Sequence, residues 1–101
     1  MLTKDKIIEK LKTVEDPELH INIVDLGLIY KVEVNKTGKV TILMTLTSPG
    51  CPLSFLFNDM VTDAVKEIKG AKEVKINLTF DPPWDVSKMS EGAKVELGWL
   101  G

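Results

Sequence analysis

The feature that most constrains the fold is a long amphipathic helix pattern between two patterns typical of β-strands. Residues 53–68 carry apolar side chains at three- and four-residue spacing, which is the repeat of a helix with one buried face. Apolar and polar residues alternate over 39–47 before it and over 74–80 after it, which is the period of a strand. A strand, a long helix and a second strand predict a parallel, right-handed βαβ unit.

Two elements are predicted ahead of this unit. Residues 4–14 predict an amphipathic helix with Thr3 as its N-cap, ending before Pro17, because proline disfavours helical backbone at the residue before it. Residues 28–34 alternate like a strand, and Gly38 supplies the positive φ that a tight turn needs. We therefore expect this strand to form a hairpin with the next one.

After the third strand, residues 81–84 (Asp-Pro-Pro-Trp) break the chain, and a short helix is predicted from about Ser87 or Ser90 to residue 97. The element order α-β-β-α-β-α predicts one α+β (two-layer α/β) domain over residues 1–101, in which helices cover one face of a small mixed three-stranded sheet. The strand at 39–47 is the longest and most apolar, so we place it in the centre. The predicted core draws on both layers: Ile42, Met44, Leu56, Phe57, Met60, Ile76 and Leu78.

Charge and apolar content disfavour several classes of protein. The formal net charge is −2 and all thirteen basic residues are lysine, whereas a nucleic-acid binder needs a basic face. No segment approaches the roughly 20 apolar residues of a membrane span. The single cysteine cannot form an intrachain disulfide. We therefore expect a cytoplasmic protein that binds neither nucleic acid nor membrane.

Cys51 is the first candidate for chemistry. Pro52 suits the first position of the long helix, so Cys51 is expected at or near the N-cap. Unpaired backbone N–H groups and the positive end of the helix dipole favour a thiolate there, and a thiolate attacks electrophiles and binds metals. A buried structural cysteine that packs as a small hydrophobe fits the same pattern. Residue chemistry alone leaves both interpretations open.

A second candidate group is acidic. Asp16 and Glu18 bracket a proline, with Asp25 nearby. These carboxylates are either solvated turn residues or oxygen ligands and general bases that face a thiolate across a cleft. His20, the only histidine, is expected to be a bystander. One cysteine and one histidine also fall short of a closed zinc site, which takes about four ligands.

Two tryptophans, Trp84 and Trp99, flank the last segment. Trp84 follows a rigid corner at the end of the third strand, and its large amphipathic ring suits either a lid over the core or a docking surface. We favour the lid.

Four blocks of sequence occur in order: Asp-Pro-Glu at 16–18, Ile-Val-Asp-Leu-Gly-Leu-Ile-Tyr at 23–30, Met-Thr-Leu-Thr-Ser-Pro-Gly-Cys-Pro-Leu at 44–53 and Phe-Asp-Pro-Pro-Trp at 80–84. Together they closely resemble the SufT/PaaD-like family of metal–sulfur cluster biosynthetic proteins. Eukaryotic relatives of this family belong to the cytosolic iron–sulfur targeting complex. The resemblance spans nearly the whole chain.

The resemblance implies maturation of iron–sulfur proteins, by helping to assemble clusters or to deliver them to apo-proteins. It implies that Cys51 is the reactive residue and that Asp16, Glu18 and Thr47 are the matching site positions. No tightly bound cofactor is expected, only transient iron or an iron–sulfur cluster on Cys51. The implied partners are iron–sulfur scaffold or carrier proteins and apo-protein clients.

A cluster ordinarily takes about four protein ligands, so one thiolate cannot hold it alone. Either two copies pair their Cys51 thiolates in a homodimer, or Cys51 acts with carboxylates and a partner protein. An assembly factor or adaptor therefore fits better than an enzyme.

One alternative is a thiol-dependent enzyme with Cys51 as nucleophile, although no orienting group beyond His20 is evident. Another is an accessory subunit of an aromatic-ring oxygenation complex, since the family includes such members.

Overall fold

A computed structural model of the chain describes residues 2–16, 19–47, 54–96 and 98, with only the backbone described at 54 and 55. None of the helices in these ranges combines the length and the apolar content that a membrane crossing requires. The elements follow the predicted order and confirm the α+β class. They are α1 (Lys4–Leu11), β1 (Ile29–Val34), β2 (Lys39–Met44), α2 (Ser54–Lys66), β3 (Glu73–Leu78), one turn of 3-10 helix (Val86–Lys88) and α3 (Glu91–Glu96).

The sheet has the strand order β1-β2-β3, which confirms β2 as the central strand. β1 pairs with β2 antiparallel, with Val32 opposite Ile42, and β3 pairs with β2 parallel, with Ile76 opposite Ile42. The parallel unit predicted around α2 is therefore confirmed. A register shift between Ile29 and Lys31 makes an irregularity at the start of β1.

The core lies between one face of the sheet and helices α1 and α2, which also pack against each other. Alternation along β2 buries every second side chain, because successive residues of a strand point to opposite faces. Loop residues before β1 and residues after β3 complete the layer. Its buried apolar members are Ile7, Leu11, Val14, Ile21, Ile23, Leu26, Leu28, Val32, Val40, Ile42, Met44, Leu46, Phe57, Val61, Ala64, Val65, Met89 and Ala93.

The predicted core was wrong at two positions. Leu56 is 42% exposed and Leu78 is 45% exposed. Leu56 precedes the buried Phe57, and consecutive helical residues point about 100° apart, so the core-facing side of α2 leaves Leu56 at its edge. Leu78 is the last residue of the edge strand β3, on the same face as the partly buried Val74 and Ile76 but beyond them. Met60 and Ile76, two further predicted core residues, are partly buried against the core.

Helix α1 starts as predicted, with the Thr3 hydroxyl accepting a hydrogen bond from the Lys6 N–H. It ends three residues earlier than predicted, at Leu11. The Thr13 hydroxyl donates to the Lys10 carbonyl at 2.6 Å. Hydroxyl groups that bond the preceding turn compete with the helical backbone pattern. The helix therefore ends well before the proline that was predicted to stop it.

Two turns meet at the end of the sheet where β2 begins. Gly38 has the predicted positive φ, at +90°, and its carbonyl accepts the Lys72 N–H at 2.9 Å. A Cβ on Gly38 would overlap the carbonyl oxygen of Gly70, so the glycine permits the close approach. Leu2 lies against the same turn, because a Cβ on Gly70 would be 3.6 Å from the Cβ of Leu2. The N-terminus of α1 is thereby fixed at this end.

We expect the two neighbouring residues of α2 to differ sharply in their contribution to stability. Phe57→Ala removes a buried ring and should lower the free energy of unfolding by about 3–5 kcal/mol. Leu56→Ala removes a side chain that is nearly half exposed and should cost less than about 1 kcal/mol. Urea denaturation of both variants measures the difference. Equal losses would show that Leu56 belongs to the core.

Candidate functional site

Cys51 and Glu18 lie outside the described residues, as do Pro52 and Trp99. The described chain reaches Thr47 before Cys51 and resumes with the first residue of α2, three positions after it. The predicted N-cap position of Cys51 and the roles assigned to Cys51 and Glu18 stay predictions. What the structure does establish is the framework on both sides of this segment.

The end of the sheet where β2 finishes is joined to the loop before β1. The Thr45 N–H donates to the Leu28 carbonyl at 2.9 Å, which continues the β1–β2 pairing beyond the strands. Thr45 and Leu46 are buried, whereas Thr47 is half-buried. Thr47 is therefore the first residue after β2 whose side chain is partly accessible. This is consistent with a site position and does not test it.

Asp16 is only 6% exposed and organises a turn at the same end of the sheet. Its carboxylate accepts the Leu19 N–H at 3.0 Å, its carbonyl accepts the His20 N–H at 2.8 Å, and its own N–H donates to the Ile21 carbonyl at 3.0 Å. An aspartate whose side chain bonds nearby backbone is the usual builder of such turns. These contacts support the turn interpretation, and ligation by Asp16 stays a prediction.

The other polar residues of this loop also have structural partners. The Asp25 carboxylate accepts from the side-chain amide of Asn22 at 2.8 Å, and the Asn22 side-chain oxygen accepts the Asp25 N–H at 2.9 Å. His20 is exposed and has a φ of +58°, which histidine tolerates better than most residues. The carboxylates therefore shape the loop. Within the described ranges, no three His, Cys, Asp or Glu side chains are grouped closely enough to hold a metal ion.

Two of the sequence blocks that carry the family resemblance contact each other. The indole N–H of Trp84 donates to the Leu26 carbonyl at 2.6 Å, and the Tyr30 hydroxyl donates to the Pro82 carbonyl at 2.7 Å. The Asp81–Pro82 peptide bond is cis. The ring of Trp84 is half-buried against the core, which confirms the lid interpretation. The blocks at 23–30 and 80–84 thus form one framework beside the end of β2.

Residues that follow the 80–84 block add further contacts with the 23–30 block. A Cβ on Gly27, whose φ is +78°, would overlap the carbonyl of Lys88, and the Ser90 N–H donates to the Asp25 carbonyl at 2.8 Å. The Lys88 ammonium lies 5.3 Å from the centroid of the Tyr30 ring, within cation–π range. Sequence reasoning missed Gly27 and Tyr30. The signal available was that both lie in one of the four blocks that carry the family resemblance, as the Asp-Pro-Pro-Trp block does.

Asp85 begins the 3-10 turn between these contacts. Hydrogen bonds from the Ser87 hydroxyl and then from the Ser87 N–H lower the pKa of Asp85. A pKa that is lower in the folded than in the unfolded chain means that these bonds stabilise the fold above the unfolded pKa. That stabilisation is lost as the pH falls through the folded pKa. Since Asp85 is exposed, this contribution to stability is small.

The Trp84 hydrogen bond can be removed while an aromatic ring is kept at this position. Trp84→Phe leaves the Leu26 carbonyl without its partner, and we expect the free energy of unfolding to fall by about 1–3 kcal/mol. Tyr30→Phe removes a more exposed hydrogen bond and should cost less than about 1 kcal/mol. Chemical denaturation compares the two. A larger loss for Tyr30→Phe would contradict the assigned importance of Trp84.

Two variants separate the structural role of Asp16 in the turn from any role of its negative charge. Asp16→Ala removes the acceptor of the Leu19 N–H and should destabilise the protein by about 1–2 kcal/mol. Asp16→Asn keeps an oxygen acceptor and should restore most of that stability. If Asp16→Asn keeps the stability yet loses biological activity, the carboxylate charge has a function beyond the turn. Thermal denaturation and activity in cells provide the two readouts.

Comparison of the chain with known proteins identifies its family. Residues 4–78 match the family described as "Iron-sulfur cluster assembly protein". The "Fe-S protein maturation auxiliary factor" of Porphyromonas gingivalis is 49% identical over 98 residues, covering 97% of this chain and 93% of that protein. The "Fe-S protein maturation auxiliary factor SufT" of Staphylococcus aureus is 46% identical over 83 residues, covering 82% and 94%.

A solved structure agrees with the fold. The crystal structure of a domain of unknown function, DUF59, from Bacillus anthracis matches this chain with a TM-score of 0.90 at 35% identity. The match covers 94% of this chain and 91% of that one. The resemblance inferred from the four sequence blocks is confirmed: the chain belongs to the iron–sulfur cluster assembly protein family.

Proposed function

We propose that this protein is an iron–sulfur protein maturation factor that helps to assemble clusters or deliver them to apo-proteins, with the Cys51 thiol as its working group. The observation that carries the proposal is the family match over residues 4–78, a range that contains Cys51. The relatives from Porphyromonas gingivalis and Staphylococcus aureus are named maturation auxiliary factors rather than catalysts. The protein accordingly acts as a factor or adaptor and not as an enzyme.

Ligand chemistry supports Cys51 as the residue that binds the iron or the iron–sulfur cluster. It is the only thiol of the chain, and thiolate is the soft ligand that iron–sulfur centres use. The Asp16 carboxylate already holds a turn, and the described residues include no metal-binding group of three side chains. One thiolate is fewer than the roughly four protein ligands that a cluster ordinarily takes, so further ligands come from another molecule. A second Cys51 thiolate or the thiolates of a partner protein would complete the coordination.

The transfer implied by this chemistry is an exchange of ligands. The Cys51 thiolate forms a bond to iron as a cysteine of the carrier leaves, and the departing thiolate takes up a proton. A cysteine of the client then forms the next bond as Cys51 leaves. Iron keeps its oxidation state, because each step replaces one thiolate by another. Carriers or scaffolds and apo-proteins are therefore the proposed partners, and the cytoplasm is the expected compartment.

Replacing the thiol tests this proposal. Cys51→Ser keeps the size of the side chain, so the free energy of unfolding should change by no more than about 1 kcal/mol. Serine is a much poorer ligand for iron than thiolate, so activity should fall sharply. The measurement is complementation of cells that lack the gene, read as the activity of an iron–sulfur enzyme beside the melting temperature of the variant.

Asn58→Ser provides a control, because Asn58 is an exposed residue of α2 and its replacement should leave both readouts unchanged. Full complementation by Cys51→Ser would show that the thiol is not the working group. Unfolding of Cys51→Ser would show a buried structural cysteine. A covalent acyl adduct on Cys51, found by mass spectrometry without any transfer of iron, would identify a thiol enzyme instead.

A further inference from the structure

A groove of about 570 Å³ lies at the end of the sheet where β2 begins. Its walls come from residues 2–4 at the start of α1, from residues 34–38 in the β1–β2 turn, and from Gly70 and Lys72 in the α2–β3 turn. The contact between the two turns at Gly38 fixes these segments relative to one another. The segments that form the groove are therefore held in fixed positions.

The groove is basic. Of the described residues, Lys4, Lys36 and Lys72 line it, and none of the others in the lining is a carboxylate. Within the described part of the chain, none of these three lysines is in an ion pair. The hydrogen bond and the charge of Lys31, whose ammonium is 2.9 Å away, are the main causes that lower the pKa of Glu33, and the charge of Lys4 lowers it further. The three ammonium groups give the groove a positive charge that attracts anions.

The rest of the lining indicates what kind of anion fits. Leu2 and Val34 are half-buried and present apolar surface in the groove. The lining, as far as the structure describes the chain, includes no aromatic side chain on which a nucleobase would stack. It includes no arginine, since the chain has none, and so lacks the fork that grips phosphate in two places. Separate lysines around apolar patches suit a peptide that carries both carboxylates and apolar side chains.

We propose that this groove, defined as residues 2–4, 34–38, 70 and 72, binds an acidic segment of a partner protein. Carboxylates of the segment pair with Lys4, Lys36 and Lys72, and an apolar side chain contacts Leu2 and Val34. β2 separates the groove from the segment that leads to Cys51, since Gly38 to Met44 spans roughly 20 Å of extended chain. A partner bound in the groove leaves that end of the sheet free. The inference does not depend on the function proposed for Cys51.

The test uses the purified full chain and a fluorescein-labelled peptide in which glutamate alternates with leucine. We expect saturable binding by fluorescence anisotropy that weakens as salt is added, because exposed ion pairs are screened. The same peptide with glutamine in place of glutamate should not bind. Lys4→Gln/Lys36→Gln/Lys72→Gln should weaken binding of the acidic peptide by about tenfold or more, as expected for the loss of several exposed ion pairs.

The matched control is Lys66→Gln/Lys75→Gln/Lys94→Gln, which removes the same charge from lysines that do not line the groove. It should weaken binding by less than about threefold, because only long-range attraction is lost. Cys51→Ser should bind the peptide like the unchanged protein, which keeps this test separate from that of the proposed function. Equal weakening by the two triple variants, or absence of binding, would overturn the proposal. So would binding of inorganic pyrophosphate in the groove without binding of the peptide.

Discussion

The central strand β2 is hydrogen-bonded along both edges and buried on one face, and the other elements take their positions from it. Val40, Ile42 and Met44 are almost inaccessible, so a shift of register by one residue would turn all three toward the opposite face. The antiparallel partner β1 brings the loop before it to one end of the sheet. The parallel partner β3 brings the α2–β3 turn to the other end. Both candidate surfaces therefore depend on the register of one strand.

Periodicity predicted the elements and their order because it reports directly which side of a strand or helix is apolar. It could not report where the layer of helices stops, so Leu56 and Leu78 were assigned to a core that does not reach them. Helix α1 ends where the hydroxyl and the N–H of Thr13 both bond the Lys10 carbonyl, a local arrangement that periodicity does not report. Contacts between residues far apart in the chain, such as Trp84 with Leu26, leave no periodic trace.

The candidate site was predicted in a different way, and the roles of its residues stay predictions. Residue chemistry left open whether Cys51 is a reactive or a structural thiol. The family resemblance of the four sequence blocks favoured the reactive thiol. The structure adds a reason why two of these blocks occur together: the Tyr30 and Trp84 side chains each bond the backbone of the other block. Family patterns of this kind mix residues that do chemistry with residues that hold the framework. The carboxylate of Asp16, for example, bonds the backbone of a turn, while ligation by Asp16 stays a prediction.

The family match ends at residue 78, whereas the segment that supplies the Trp84 indole lies beyond it. The loop before β1 thus depends on a part of the chain beyond the matched range. A relative that shares only that region has to satisfy the carbonyl at the position of Leu26 with water, another side chain or another molecule, because a buried carbonyl is rarely left unpaired. Differences between family members in this loop would then arise from the segment after their last strand, even where the loop sequences are the same.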